Sequence, residues 1–252
     1  MSARVTTLWR YPVKGFSPDT LAAVDLVPGE TMPFDRAYAV ENGPSGFDPA
    51  APVHMPKIKF LCLMRNEGLA RLATRFDPET TLFTIAEAGA TLAEGRLDTE
   101  EGRTAIETFL AARFADVLRG PPKVLRASGH SFSDVAKKVL HLVNRETVRA
   151  LGAELGVTLA PLRFRPNLVV DGLAPGAELG WPRDMPLSIG GIDFEVVKRT
   201  ERCAATNVDP ATGLRDLQIP RHLMQTVGHA DCGVYLRVLS PGRLAVGDEL
   251  AV

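Results

Sequence analysis

Short apolar runs, each soon interrupted by glycine or proline, constrain this chain more than any other feature of its sequence. Ala22-Ala23-Val24-Asp25-Leu26-Val27 runs into Pro28-Gly29, and Ala37-Tyr38-Ala39-Val40 is followed by Gly43-Pro44. Ile58-Lys59-Phe60-Leu61-Cys62-Leu63-Met64 lies between Pro56 and Gly68. Such runs are too short for ordinary helices, and turn residues at this frequency predict many short strands in a barrel or sandwich. Leu82-Phe83-Thr84-Ile85 continues the pattern through the Gly89 turn to a strand ending near Leu97.

The period then changes. Asp98 followed by Glu101 has the spacing of a capping box, and Ile106, Phe109, Leu110 and Phe114 share one helical face through about Ala115. Arg119-Gly120-Pro121-Pro122 cannot continue a helix and lacks the donors of a central strand, so a division is expected near residue 120. Beyond it, His141-Leu142-Val143 reads as a buried strand. Asn144 reads as the N-cap of a helix to about Leu155, at either an ordinary strand-to-helix turn or an anion cradle. Strands return at Asn167–Val170, Ile192–Val197 and Val234–Val238, with a helix near Leu217 to Val227.

Charge and cysteine content narrow the function. Lys and Arg total 29 against 30 for Asp and Glu, so no global positive field exists to hold nucleic acid. No apolar run approaches the ~18 residues of a membrane span, and the first ten residues lack the apolar core of a signal peptide. A cytoplasmic protein is expected. The three cysteines, Cys62, Cys203 and Cys232, form no disulfide framework in a reducing compartment. The nucleophile elbow, Walker A loop, dinucleotide fingerprint and zinc-protease motif are all absent from the sequence, and His222, His229 and Cys232 match no usual zinc spacing.

Cys203 stands out. It follows an apolar strand, has Arg199 and Arg202 nearby, and precedes the turn-rich Val208-Asp209-Pro210-Ala211-Thr212-Gly213. Neighbouring cations favour thiolate, the form that binds a soft metal, whereas a lone cysteine can equally be an inert small hydrophobe. Cys62 and Cys232 read as core residues.

Six blocks in order carry a resemblance: Tyr11-Pro12-Val13-Lys14-Gly15, Phe34-Asp35-Arg36, Arg163-Phe164-Arg165-Pro166-Asn167, Glu201-Arg202-Cys203, Val208–Gly213 and Cys232-Gly233-Val234-Tyr235, ending at Val246-Gly247-Asp248. Together they resemble the MOSC family, the molybdenum cofactor sulfurase carboxy-terminal domain family, and in particular its bacterial and amidoxime-reducing members. The resemblance implies an α+β, mainly β fold of two beta-barrel-like subdomains with a few peripheral helices. Residues 1–118 would be the amino-terminal beta-barrel domain and residues 119–252 the MOSC domain.

It further implies a pyranopterin molybdenum cofactor between the halves, with Cys203 ligating molybdenum. Lys14, Gly15 and Arg36 would lie toward its phosphate and pterin, Arg165 and Asn167 along its polar edge, and Arg202 and Tyr235 beside the metal. Asn144 would sit at a helix start near the cofactor. Cations gathered on an anionic group are chemically consistent with this, although each could instead be a solvated or paired surface charge. Gly15 departs from relatives that place a cofactor-contacting serine there. Some bacterial relatives append a ferredoxin domain. Three cysteines are too few for a two-iron cluster, so electrons would come from a separate electron-transfer protein or reductase.

The implied activity is an oxidoreductase that cleaves the N–O bond of small N-hydroxylated substrates such as amidoximes and N-hydroxylated bases. A molybdenum cofactor or sulfur carrier using Cys203 without redox turnover is the alternative, and a cofactor-free binding domain is a third.

Overall fold

A computed structural model describes residues 2–252. In chain order the first-half strands are β1 (Ala3–Arg10), β2 (Asp19–Leu21), β3 (Ala23–Leu26), β4 (Tyr38–Val40), β5 (Ala73–Phe76), β6 (Leu82–Glu87) and β7 (Ala90–Arg96). There follow β8 (Val124–Arg126), β9 (Leu140–Asn144), β10 (Leu168–Asp171), β11 (Pro186–Ile189), β12 (Ile192–Glu201), β13 (Asp231–Val238), β14 (Gly242–Ala245) and β15 (Glu249–Ala251). The α-helices are α1 (Glu100–Arg113), α2 (Arg145–Leu155) and α3 (Ile219–Thr226). None is long and apolar enough to cross a membrane.

One barrel closes among the described residues. Its seven strands run in the order β10, β9, β13, β12, β11, β15, β1, and β1 returns to pair with β10. Alternation fills its interior: Ile192, Phe194 and Val196 of β12 point inward while Asp193 and Glu195 point away. A register shift between Val5 and Thr7 in β1 lets Leu8, rather than Thr7, follow Val5 into the core. The mainly β, α+β class is therefore as expected, but the remaining first-half strands form open sheets, notably the antiparallel β5-β6-β7. α1 packs over β7 and buries Ile106 and Leu110 in a second core with Phe16, Leu69 and Phe83.

Strand pairing crosses the expected division near residue 120. β1 belongs to the barrel built otherwise from second-half strands, β3 pairs with β14, and β4 pairs with β8. Two local expectations need correction. The cap of α1 is Thr99, whose side chain accepts from the Gly102 amide, while Asp98 is engaged by Arg96 and Thr81. The Ile58–Met64 run is a 3-10 turn and loop: Phe60 to Leu63 are buried, but only Phe60 makes an isolated bridge, to Glu41, and no strand ladder forms.

Candidate functional site

Residues from distant stretches of chain meet at one cavity. The turn after β1 brings Lys14 and Gly15, and the turn before β4 brings Arg36. The approach to β10 brings Arg165 and Asn167, the end of β12 brings Arg202 and Cys203, and β13 brings Tyr235. Thus eight of the residues singled out from sequence line the same space.

The backbone is specialised where these residues emerge. Arg36 and Arg165 both occupy the left-handed region at φ 52°, uncommon for residues other than glycine and often found at functional sites. Their guanidinium carbons lie 4.3 and 4.2 Å from the centre of the Tyr11 ring. That ring is fully buried and its π-face attracts both charges, with its hydroxyl lacking a hydrogen-bond partner. Gly15 has φ 88°, and a Cβ there would stand 2.7 Å from the Leu61 carbonyl oxygen. This position therefore contributes backbone alone, and a serine would not fit without movement.

Charge is concentrated and incompletely neutralised. Lys14 donates to the Phe132 carbonyl at 2.8 Å and to Asp134. Asp134 also binds Lys57 at 3.1 Å, and the Lys57 ammonium lies 3.2 Å from Cys203 Sγ. Burial lowers the Lys14 pKa, with Asp134 opposing that effect. Desolvation also acts against charge on Lys57 and Asp134, yet attraction prevails: Lys14 and then Lys57 lower the Asp134 carboxyl, and Asp134 and then Cys203 raise Lys57. Arg36 pairs with Asp35 and donates to the Arg165 carbonyl at 3.1 Å.

Arg165 and Arg202 have no carboxylate partner among the described residues. Arg165 donates to the Phe16 carbonyl at 2.8 Å, and burial pushes its pKa down to about 10. Arg202 donates to the Phe164 carbonyl at 2.6 Å and to His141 Nε2 at 3.4 Å, while its Nε has no partner. Accepting from an arginine requires a neutral His141 with Nε2 unprotonated. Burial, followed by Arg202 and Arg36, indeed holds the imidazole well below its ordinary pKa. Two half-buried guanidiniums without carboxylates and one sealed, orphaned donor constitute a cavity suited to an anion.

Cys203 is the half-buried thiol of this space. Its carbonyl accepts from the Thr206 hydroxyl at 2.9 Å and amide at 3.0 Å, fixing the backbone as it leaves β12. Cys62 also borders the cavity, from a loop rather than the expected strand, and burial raises its pKa. Cys232 is sealed in β13, where burial pushes it up to about 12. Asn167 is largely committed to the fold, accepting from the His141 amide at 3.0 Å and donating to the Trp9 carbonyl at 3.1 Å. Asp209 in the Val208–Gly213 block braces Arg163 at 2.7 Å, which is paired with Asp216 as well.

The structure places Asn144 elsewhere. It caps α2 by accepting from the Glu146 amide, but its amide nitrogen donates to Ala174 O at 2.8 Å and Glu178 at 3.2 Å, away from the cavity. Sequence reasoning missed Lys57, Asp134 and His141 as cavity residues. His141 had a signal, a polar side chain inside an apolar strand; Lys57 and Asp134 come from irregular segments with no periodicity.

Residues 127–251 match the family model of the MOSC domain. The mitochondrial amidoxime reducing component 2 of Rattus norvegicus is 30% identical over 123 residues, spanning 44% of this chain and 36% of that protein. The mitochondrial amidoxime-reducing component 1 of Homo sapiens is 27% identical over 282 aligned positions, covering 98% of this chain and 82% of that protein. The molybdenum cofactor sulfurase of Caenorhabditis briggsae is 36% identical over 97 residues, 37% of this chain and 13% of the sulfurase. The match to the rat protein thus spans only about a third of its length.

Proposed function

Because this chain carries a MOSC domain at residues 127–251, we propose that it is a molybdenum-cofactor-dependent oxidoreductase that cleaves the N–O bond of small N-hydroxylated compounds. The observation that carries this reading is the presence, in one cavity, of two half-buried guanidiniums without carboxylates, one of them with an orphaned Nε, and a half-buried thiol. The donor set fits the group: cations and N–H donors for its anionic parts, and a soft sulfur for its metal. When bound, the cofactor supplies the two-electron chemistry that removes oxygen from nitrogen.

The chain's own residues do the rest. Lys14, Arg165 and Arg202 bind negative charge, Arg36 is held beside Arg165 by its carbonyl contact, and Cys203 provides the metal ligand. Tyr235 and neutral His141 pack with tilted rings, 5.4 Å between centres, and form one wall, holding a proton on the phenol and leaving the imidazole uncharged. Burial raises the Tyr235 pKa, so its hydroxyl remains a donor at neutral pH. Electrons come from a separate protein in this reading.

The test is protein made in hosts with and without molybdenum cofactor. Elemental analysis should find close to one molybdenum per chain in the first preparation, which should reduce benzamidoxime with reduced viologen but not with NADH alone. No molybdenum after reconstitution would overturn the reading. Bound molybdenum without turnover from any donor would establish the carrier reading instead.

A further inference from the structure

A groove of about 500 Å³ opens beside the cavity, with Tyr235 and Val139 forming part of both walls. The Ser133–Val139 segment also lines both: Ser133 and Asp134 line the cavity, while Val135 and Lys137 line the groove. Its apolar surface comes from Val135, Val139, Val197 and the half-buried Trp181. Its rim is cationic. Lys137, Arg183, Lys198 and Arg199 line it, and no acidic residue does.

Two of these cations have distant partners outside the groove, Arg183 with Asp184 at 3.7 Å and Arg199 with Asp231 at 3.9 Å. Lys137 and Lys198 make no ion pair among the described residues. Sheet register connects the groove to the site. Lys198 of β12 is directly opposite Tyr235 of β13, which is directly opposite His141 of β9. Directly opposed residues share a sheet face, so the three form a row from groove to cavity. Two inter-strand spacings put its ends roughly 10 Å apart. A register shift between Val196 and Lys198 bends β12 at this point, a device that re-aims side chains.

We propose that this groove binds the substrate's body and that the substrate is a flat apolar molecule bearing an acidic group, its carboxylate or equivalent anion held by Lys137 and Lys198. The inference deepens the oxidoreductase reading and rests on it for the identity of the reacting end. A concave groove of this size fits a small molecule, and Trp181 offers a surface for a flat ring; a docked protein would need a contact area several times larger. The row through Tyr235 then directs the far end of the molecule toward the cavity that His141 and Cys203 line.

Calorimetry on the full chain provides a readout independent of turnover. 2-Naphthoate should bind about tenfold more tightly than neutral 2-naphthamide, and the Lys137→Ala/Lys198→Ala double variant should erase that preference. Circular dichroism verifies that the variant is folded. Equal binding of the two probes, or an unchanged preference in the variant, overturns the proposal. In the cofactor-loaded protein with reduced viologen, 4-carboxybenzamidoxime should have a KM about tenfold below that of benzamidoxime at similar kcat, again only with both lysines present.

Reduction of both compounds with equal KM would sink the groove while preserving the N–O cleavage reading. Reduction of neither, with the naphthoate preference intact, would sink the reaction while preserving the groove. If the double variant slows turnover only with a protein electron donor and leaves probe binding unchanged, the lysines are a docking surface and the proposal is wrong.

Discussion

Two buried polar clusters sit at opposite ends of β9, and they are resolved in opposite ways. At the strand's end, Asn144 caps α2, donates to Ala174 O and Glu178, and shares that carboxylate with the Thr147 hydroxyl at 2.9 Å. Only the other oxygen of Glu178 is left without a partner there, and burial pushes its carboxyl pKa upward. Near the strand's start, His141 faces a cavity where Arg202 lacks a partner at Nε and Arg165 lacks any carboxylate. Polarity and burial alone do not distinguish a binding site from a structural node. The available remedy does: burial favours the neutral acid of Glu178, whereas guanidiniums stay charged and a cavity with a net positive field is costly until an anion enters.

The sharpest way to test the contrast is to remove the thiol from the cavity. Cys203→Ser replaces a soft donor by a hard, protonated hydroxyl while leaving the backbone contacts with Thr206 in place. Activity of cofactor-loaded protein should fall at least about 100-fold, beyond the loss typical of removing a residue that only supports a metal ligand. X-ray absorption should lose one protein-type Mo–S contact, and the melting temperature of the empty chain should scarcely move. An unchanged absorption spectrum would show that Cys203 is not the ligand.

Breaking the other cluster should do the reverse. Asn144→Ala removes the α2 cap and the bond to Glu178, an expected loss of about 1–3 kcal/mol in stability. Molybdenum content of the surviving folded fraction should equal that of the unaltered protein. A variant with normal stability and lost molybdenum would return Asn144 to the cofactor site.

The different fates of these residues also explain what could be read from sequence. Lys14, Arg165, Arg202 and Cys203 lie in short motifs near the ends of barrel strands, and Arg36 in one just before β4, so distant parts of the chain present side chains to one cavity. Asn144 was misplaced through parity: it lies three residues beyond His141, so alternation turns it to the opposite face of β9. The Ile58–Met64 run shows that hydrophobicity without a clear period reports burial, not a strand. Lys57 and Asp134 were invisible because their roles arise from mutual contact between two irregular segments 77 residues apart. The closure of the barrel by β1 is likewise long-range pairing, which local patterning does not encode.

The smallest expected effect concerns His141, whose neutral state is set first by burial and then by the cavity's positive charges. Burial, Arg202 and Arg36 depress its pKa in the folded protein, whereas the unfolded imidazole titrates near 6.5. Below about pH 6.5 the unfolded chain therefore takes up a proton that the folded chain refuses, so stability falls as pH falls, by at most about 1.4 kcal/mol per pH unit from this group. Denaturant unfolding of wild type and His141→Gln between pH 7 and 5 isolates that contribution from the remaining histidines, and the variant should show the shallower decline. An anion in the cavity offsets Arg202 and Arg36 and makes protonation of His141 less unfavourable, so loading should flatten the wild-type decline toward that of the variant. If loading leaves the slope unchanged, the anion does not sit where it can act on this imidazole, and the cavity's positive field serves the fold rather than the ligand.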